Sequence, residues 1–212
     1  MKPYLVKTPK LLKFLFKNRV WSFSKKEKTL YLTFDDGPTP EITEWILNQL
    51  QKYSAKATFF CVGKNIDEHH EVYNKIIKNN HSIGNHTYSH LNDSKTEAQV
   101  YIDNIEKAEI TIHKNKQQFL KLFRPPYGRL KYSQSKKIRK QGYRIIMWDV
   151  LSADFDTSVS KEKCLENVIR NTENGSIILF HDSNKASGKL QFVLPKILEY
   201  YSQKGFEFKN IS

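Results

Sequence analysis

The chain has 212 residues, of which 39% are hydrophobic and 27% charged. That length suits one domain, and that balance excludes disordered and collagen-like classes. A net charge of +13 favours acidic partners such as nucleic acid, anionic lipid or acidic glycan, while two cysteines are too few for a disulfide framework. No stretch offers the ~20 apolar residues of a membrane-spanning helix.

Near the N-terminus, Lys13 and Lys17 interrupt the apolar run Leu11, Leu12, Phe14, Leu15, Phe16, and no small-residue cleavage site follows. The segment therefore does not read as a secretory signal. Residues 7–17 read either as a helix capping the domain or as a basic amphipathic helix on a membrane surface. The expected organisation is an extension, 1–28, packing on a single main domain, 29–212.

Residues 29–35 read as a strand, with Leu30, Leu32 and Phe34 alternating against Tyr31 and Thr33. Gly37 and Pro38 end it. Thr39 then caps a helix with Pro40 at its first position and Ile42, Ile46, Leu50 and Tyr53 in one stripe. A strand over 57–62 ends at Gly63 and holds Cys61 as a buried thiol. Val72, Ile76 and Ile77 mark a helix, and 81–85 a short strand. Residues 96–114 form a long helix with Val100, Ile105, Ala108 and Ile112 inward. A strand over 119–123, a helix over 133–141 ended by Gly142, and a strand over 144–148 follow. Next come a helix over 161–170 carrying Cys164, a buried strand over 176–180, a helix over 190–204 ended by Gly205, and a last strand over 206–210. Such alternation implies parallel strands joined by helical crossovers, in an open doubly wound sheet or a barrel. Periodicity does not choose between the two.

Chemistry-bearing residues gather at the C-terminal ends of these strands: Asp35 and Asp36, His86 and His90, Arg124, Asp149 and Asp154, His181 and Asp182. In parallel α/β folds those ends meet on one face. In a helical turn, His86 and His90 at i and i+4 would share one side. With one aspartate of the Asp35–Asp36 pair they make a three-ligand set that leaves positions open for water and substrate. The other aspartate can act as a base, held ionised by Arg124. His181 stands where an acid would, with Asp154 as the carboxylate that orients it and raises its pKa.

These segments resemble the polysaccharide deacetylases of carbohydrate esterase family 4, the NodB homology domain. The resemblance rests on five stretches in order: Thr33–Phe34–Asp35–Asp36–Gly37–Pro38, His86–Thr87–Tyr88–Ser89–His90, Arg124–Pro125–Pro126–Tyr127–Gly128, Trp148 through Phe155, and Leu179–Phe180–His181–Asp182. It implies a distorted (β/α) barrel of about seven parallel strands. It implies one divalent metal, zinc by preference with cobalt or another transition metal as substitutes, on Asp36, His86 and His90. It implies Asp35 as base tethered by Arg124, His181 as acid positioned by Asp154, the Tyr127 backbone N–H at the oxyanion, and Leu179 lining the acetyl-methyl pocket. Where the family has Asp and Trp in its fourth motif, this chain has Leu151 and Phe155; Phe155 can still wall the pocket but lacks an indole donor.

The implied activity is metal-dependent removal of N-acetyl groups from an amino-sugar glycan of chitin, peptidoglycan or lipid-linked type, releasing acetate. The alternatives are a catalytically weak glycan-binding homologue and a hydrolase of another amide or ester, such as O-acetylated xylan. No nucleic-acid motif accompanies the charge, so no specific nucleic-acid partner is expected. A monomer is expected, in the cytoplasm or attached peripherally to a membrane through residues 7–17.

Overall fold

The computed structural model describes residues 5–115 and 120–212. Its strands are β1 (Thr29–Asp35), β2 (Ala57–Cys61), β3 (Ser82–Asn85), β4 (Leu122–Phe123), β5 (Arg144–Ile145), β6 (Val150–Leu151), β7 (Ile177–His181) and β8 (Glu207–Phe208). They make one sheet in the order β5-β4-β3-β2-β1-β7-β6, with β8 attached to β1 and every ladder parallel. The sheet curls into a half-barrel, which decides between the two architectures the alternation left open.

Two apolar layers hold the curl. Leu30, Leu32 and Phe34 point outward with Phe59, Ile178 and Phe180, and pack against helices α2 (Ile42–Lys52), α7 (Lys161–Asn171) and α8 (Asn184–Gln203). A smaller cluster of Phe60, Leu122, Ile146, Ile177 and Ile211, with Tyr31 at its margin, forms the other. β1 thus lies between two buried faces, and Thr33 and Asp35 are as enclosed as their apolar neighbours. A half-exposed strand would show polar residues to water; a central strand of a parallel sheet has none to show. Emptying one such site, as in Phe34→Ala, typically costs about 3–5 kcal/mol.

The sheet order leaves a gap between β5 and β6, and the N-terminal chain fills it. Val20 bridges Ile146 in parallel, Lys7 bridges Val150 and Ser22 bridges Ser176 in antiparallel fashion. Short helix α1 (Lys10–Leu15) lies between these bridges. Asp149 sits beneath, wholly buried, with Lys7 Nζ at 2.7 Å on one oxygen and Lys13 Nζ at 2.6 Å on the other. Ser176 Oγ donates a further hydrogen bond to it at 2.6 Å. Asp149 therefore anchors the N-terminal strap and is not part of the catalytic cluster its strand-end position suggested.

Several boundaries differ from the sequence expectations. Val100 is 48% exposed, and Tyr101 and Ile102 take the inward face of α5 (Ala98–Asn115) beside Ile105, Ala108 and Ile112. α2 starts at Ile42, not Pro40; Glu41 precedes it with φ 64°, and no side chain caps it. Gly63 opens the unforeseen helix α3 (Gly63–Glu68) immediately after the strand it ends. α8 begins six residues earlier than its apolar stripe suggests and carries Pro195 inside. Of the expected strand over 119–123, Phe119 lies outside the described residues. Cys61 and Cys164 are both free and buried.

Candidate active site and metal centre

Parallel register brings the chemistry together. Asp35 pairs with His181 across β1 and β7, and with Phe60 across β2. Asn85 pairs with Phe123, so His86 and Arg124 leave adjacent strands side by side. The ends open into a cavity of about 330 Å³, lined by Asp35, Asp36, His86, His90, Leu179 and His181 among others.

His86 and His90 are not on a helix. The chain after β3 bends through Thr87 at φ 65° and His90 at φ 53°, and this loop, in place of a helical turn, sets the rings 5.0 Å apart. Asn85 Oδ1 and Asn104 Oδ1 accept from backbone N–H groups of Thr87, Tyr88 and Ser89 and fix the bend. One donor atom each from Asp36, His86 and His90 falls within 4.8 Å of the others.

The cluster has the chemistry of a cation site. His86 Nδ1 lies 2.7 Å from the Arg124 carbonyl. A carbonyl can only accept, so Nδ1 carries the proton and Nε2 turns its lone pair toward the carboxylates. Burial holds His86 down, to about 4, so it is neutral at physiological pH. Burial pushes Asp36 up, but the imidazoles of His90, His181 and His86 outweigh it and hold this carboxyl well below the usual range. Asp36 Oδ1 is buried without a hydrogen bond of normal geometry, and the nearby imidazole nitrogen His90 Nε2 lies 3.2 Å away. An ionised, orphaned oxygen facing imidazole lone pairs is costly alone and is satisfied by a cation. The residues fit a divalent metal.

Asp35 is held separately. Arg124 Nη1 donates to its Oδ1 at 2.7 Å and to Thr33 Oγ1 at 2.8 Å. The Arg124 Nε and Nη2 donate to the carbonyls of Ile146 and Met147, and the guanidinium lies 4.1 Å from the Phe60 ring centroid. Arg124 is completely buried, and burial lowers its pKa while Asp35 opposes that shift. Asp35 Oδ2 remains on the cluster side, 3.8 Å from His86 Nε2.

His181 is gripped by Asp154, which accepts its Nδ1–H and its backbone N–H, both at 2.8 Å. Burial would lower the imidazole pKa, but Asp154, Asp36 and Asp35 raise it to about 9. The Phe155 ring meets His181 edge-on at 5.0 Å. Tyr127, at φ 60° and exposed, meets the His90 ring edge-on with centroids 4.8 Å apart. Phe155, Leu179 and Tyr127 all line the cavity, so the structure brings together every residue the five stretches supplied except Arg124 and Asp154, which stand behind Asp35 and His181.

Some contributors escaped sequence reasoning. Ser183 and Lys185 also line the cavity, as do Trp148 and Leu151, which the fourth stretch carries with no role assigned to them. Asp182, beneath it, accepts from the Gly37 N–H at 2.9 Å and from Thr43 Oγ1 at 2.7 Å, fixing the turn that carries Asp36. Burial pushes this carboxyl up, to about 8, against those two hydrogen bonds. A Cβ on Gly37 would fall 1.9 Å from Asp182 Oδ2, which is why no larger residue fits the turn. Only the adjacency of Asp182 to His181 hinted at this role.

The chain belongs to the polysaccharide deacetylase family, whose model matches residues 23–146, and carries the NodB homology fold of carbohydrate esterase family 4. It is 37% identical over 180 residues to a peptidoglycan-N-acetylglucosamine deacetylase of Bacillus cereus, covering 84% of this chain and 64% of the relative, just short of two thirds of its length. The fold superposes with a TM-score of 0.88 and 32% identity on a peptidoglycan N-acetylglucosamine deacetylase solved with 4-naphthalen-1-yl-N-oxidanyl-benzamide, over 96% of this chain and 95% of that one. It also superposes, with a TM-score of 0.81 and 27% identity over 91% of this chain and 69% of the other, on a mutant pseudoenzyme of the same family from Bacillus anthracis with restored enzymatic activity.

Proposed function

We propose that this chain hydrolyses the N-acetyl group of an amino sugar in a glycan, using one divalent metal, zinc by preference, held by Asp36, His86 and His90. The observation that carries the reading is the orphaned Asp36 oxygen among two imidazoles, beside an Arg-tethered Asp35 and an Asp-tethered His181 in one cavity. The substrate class follows the relatives, which are named for peptidoglycan and chitooligosaccharide deacetylation.

A divalent metal held by Asp36, His86 and His90 would supply Lewis-acid polarisation of the amide carbonyl and acidify water at the site. Asp35 takes the proton as water adds to the carbonyl carbon. Arg124 serves that step by holding the base ionised and fixing its direction. The Tyr127 backbone N–H, from a residue lining the cavity, is assigned to the developing oxyanion; one preorganised donor of this kind commonly contributes about 3–4 kcal/mol. His181, protonated at neutral pH, delivers its Nε2 proton to the departing nitrogen, and the C–N bond breaks. Acetate and a free amine result. Leu179 and Phe155 exclude water around the acetyl methyl, and Leu151, in place of a carboxylate, makes that side more apolar.

The relationship to a pseudoenzyme makes glycan binding without turnover the second reading, and the departures at Leu151 and Phe155 favour it locally. It does not account for the Asp35–Arg124 and His181–Asp154 pairs, which binding does not need. Acetate release from N-acetylchitooligosaccharide and from peptidoglycan, after chelation and after zinc return, tests the two. Zinc-restored release supports the deacetylase; binding with no release under any divalent metal supports the other.

A further inference from the structure

The N-terminal strap presents a surface that the catalytic reading does not use. α1 turns Leu12 inward onto the cluster around Trp21, Tyr101 and Ile145, and Lys13 inward onto Asp149. With those two contacts made, the helix cannot bury its opposite side. Leu11, Phe14 and Leu15, spaced i, i+3 and i+4, stand 68%, 73% and 63% exposed, and Leu5 is exposed nearby. Large apolar side chains grouped this way on a surface mark an interaction site.

The charge around the patch says what it meets. From Leu5 to Lys26 the chain carries Lys and Arg and no acidic residue. Lys7 and Lys13 are neutralised by Asp149, but Lys10 and Lys17, both exposed at the two ends of the patch, have no carboxylate partner among the described residues. The whole molecule adds a net charge of +13. No helix of the described residues is long and apolar enough to cross a membrane. A short apolar face rimmed by free lysines is the chemistry of a helix lying in the headgroup region of an anionic bilayer.

The location is also informative. A second cavity, of about 360 Å³, runs from Leu12 and Phe16 to Gly128, and Gly128 also lines the catalytic cavity. The inner side of the strap therefore reaches, through Gly128, toward the catalytic cavity, while Leu11, Phe14 and Leu15 line neither cavity.

We propose that α1 and its flanking lysines are a docking surface for an anionic lipid bilayer. The docking step needs no turnover, so it stands or falls separately from the deacetylase reading.

The test is co-sedimentation of the full chain with vesicles of phosphatidylcholine, with and without phosphatidylglycerol. The protein is expected to bind the anionic vesicles, to be released by salt, and to bind neutral vesicles weakly. The triple variant Leu11→Ser/Phe14→Ser/Leu15→Ser should lose at least about tenfold in partitioning, since binding scales with the apolar area inserted. Lys10→Glu/Lys17→Glu, which leaves the apolar face intact, should lose a comparable factor at low salt. The altered side chains face solvent, so thermal melting should stay near the parent's in both. Absence of binding to anionic vesicles, or undiminished binding by the folded triple variant, would overturn the proposal. Concentration-dependent self-association that the triple variant abolishes, without vesicle binding, would assign the patch to a second copy instead.

Discussion

Two buried aspartates, Asp149 just before β6 and Asp35 at the end of β1, have opposite fates. Both are essentially without exposure, and each meets a basic partner at about the same distance, 2.6–2.7 Å. Asp149 has both oxygens taken by lysines and a third donor in Ser176. Asp35 has one oxygen on Arg124 and leaves the other facing the imidazole cluster. A carboxylate whose lone pairs are spent holds chain together; one that is oriented but half free can take a proton. The difference lies in saturation, not in burial.

That contrast breaks most visibly at the base. Asp35→Asn keeps an oxygen for Arg124 but cannot accept a proton, so kcat should fall by roughly 10²–10⁴ or more while zinc affinity stays within about tenfold. Steady-state kinetics with parallel zinc titration checks both. His86→Ala removes a ligand outright and should weaken zinc binding by more than about 100-fold, beyond what loss of an outer partner costs, with the fold retained by circular dichroism.

Asp149→Ala should do the reverse, lowering stability with the chemistry intact. Breaking a buried pair costs about 3–5 kcal/mol, but Lys7 and Lys13 are 31% and 22% exposed and can reach water, so about 2–3 kcal/mol is expected. For a domain of this size that is a drop of roughly 5–10 °C in melting temperature, with kcat little changed at temperatures where the variant is folded.

The smallest effect is on pH dependence. His181 serves as an acid only while protonated, and its pKa stands raised to about 9. Activity should therefore hold through neutrality and fall as pH rises toward that value. Asp154→Asn removes the main raising interaction, so the alkaline limb of kcat should move down by more than about one pH unit. An unmoved limb would remove Asp154 from that role.

How much of this the sequence showed depended on range. β1, β2 and β7 were plain because β1 alternates Leu30, Leu32 and Phe34 with Tyr31 and Thr33 while β2 and β7 are short apolar runs, and the ends of β1 and β7 marked Asp35 and His181. β6 was not, since two residues carry no period and Val150 and Leu151 form a strand only by pairing with Ile178 and Leu179. The spacing of His86 and His90 suggested a helical turn, and the same proximity came from a loop with two positive-φ residues, which spacing cannot distinguish. The start of α8 was hidden by Asn184, Ser187 and Gly188, weak helix formers carried by the buried stripe of Leu190, Val193, Leu194 and Ile197. The extension was expected to pack on the domain, but what pins it was illegible: Lys7 and Lys13 lie more than a hundred residues from Asp149.

Anomalous diffraction at the zinc edge, from crystals of the zinc-loaded chain, bears on the centre of this account most directly. The expected result is a single strong peak within bonding distance of Asp36 Oδ1, His86 Nε2 and His90 Nε2, with Asp35 outside bonding distance. A zinc peak bound elsewhere, or ligated by Asp35 in place of Asp36, would contradict it.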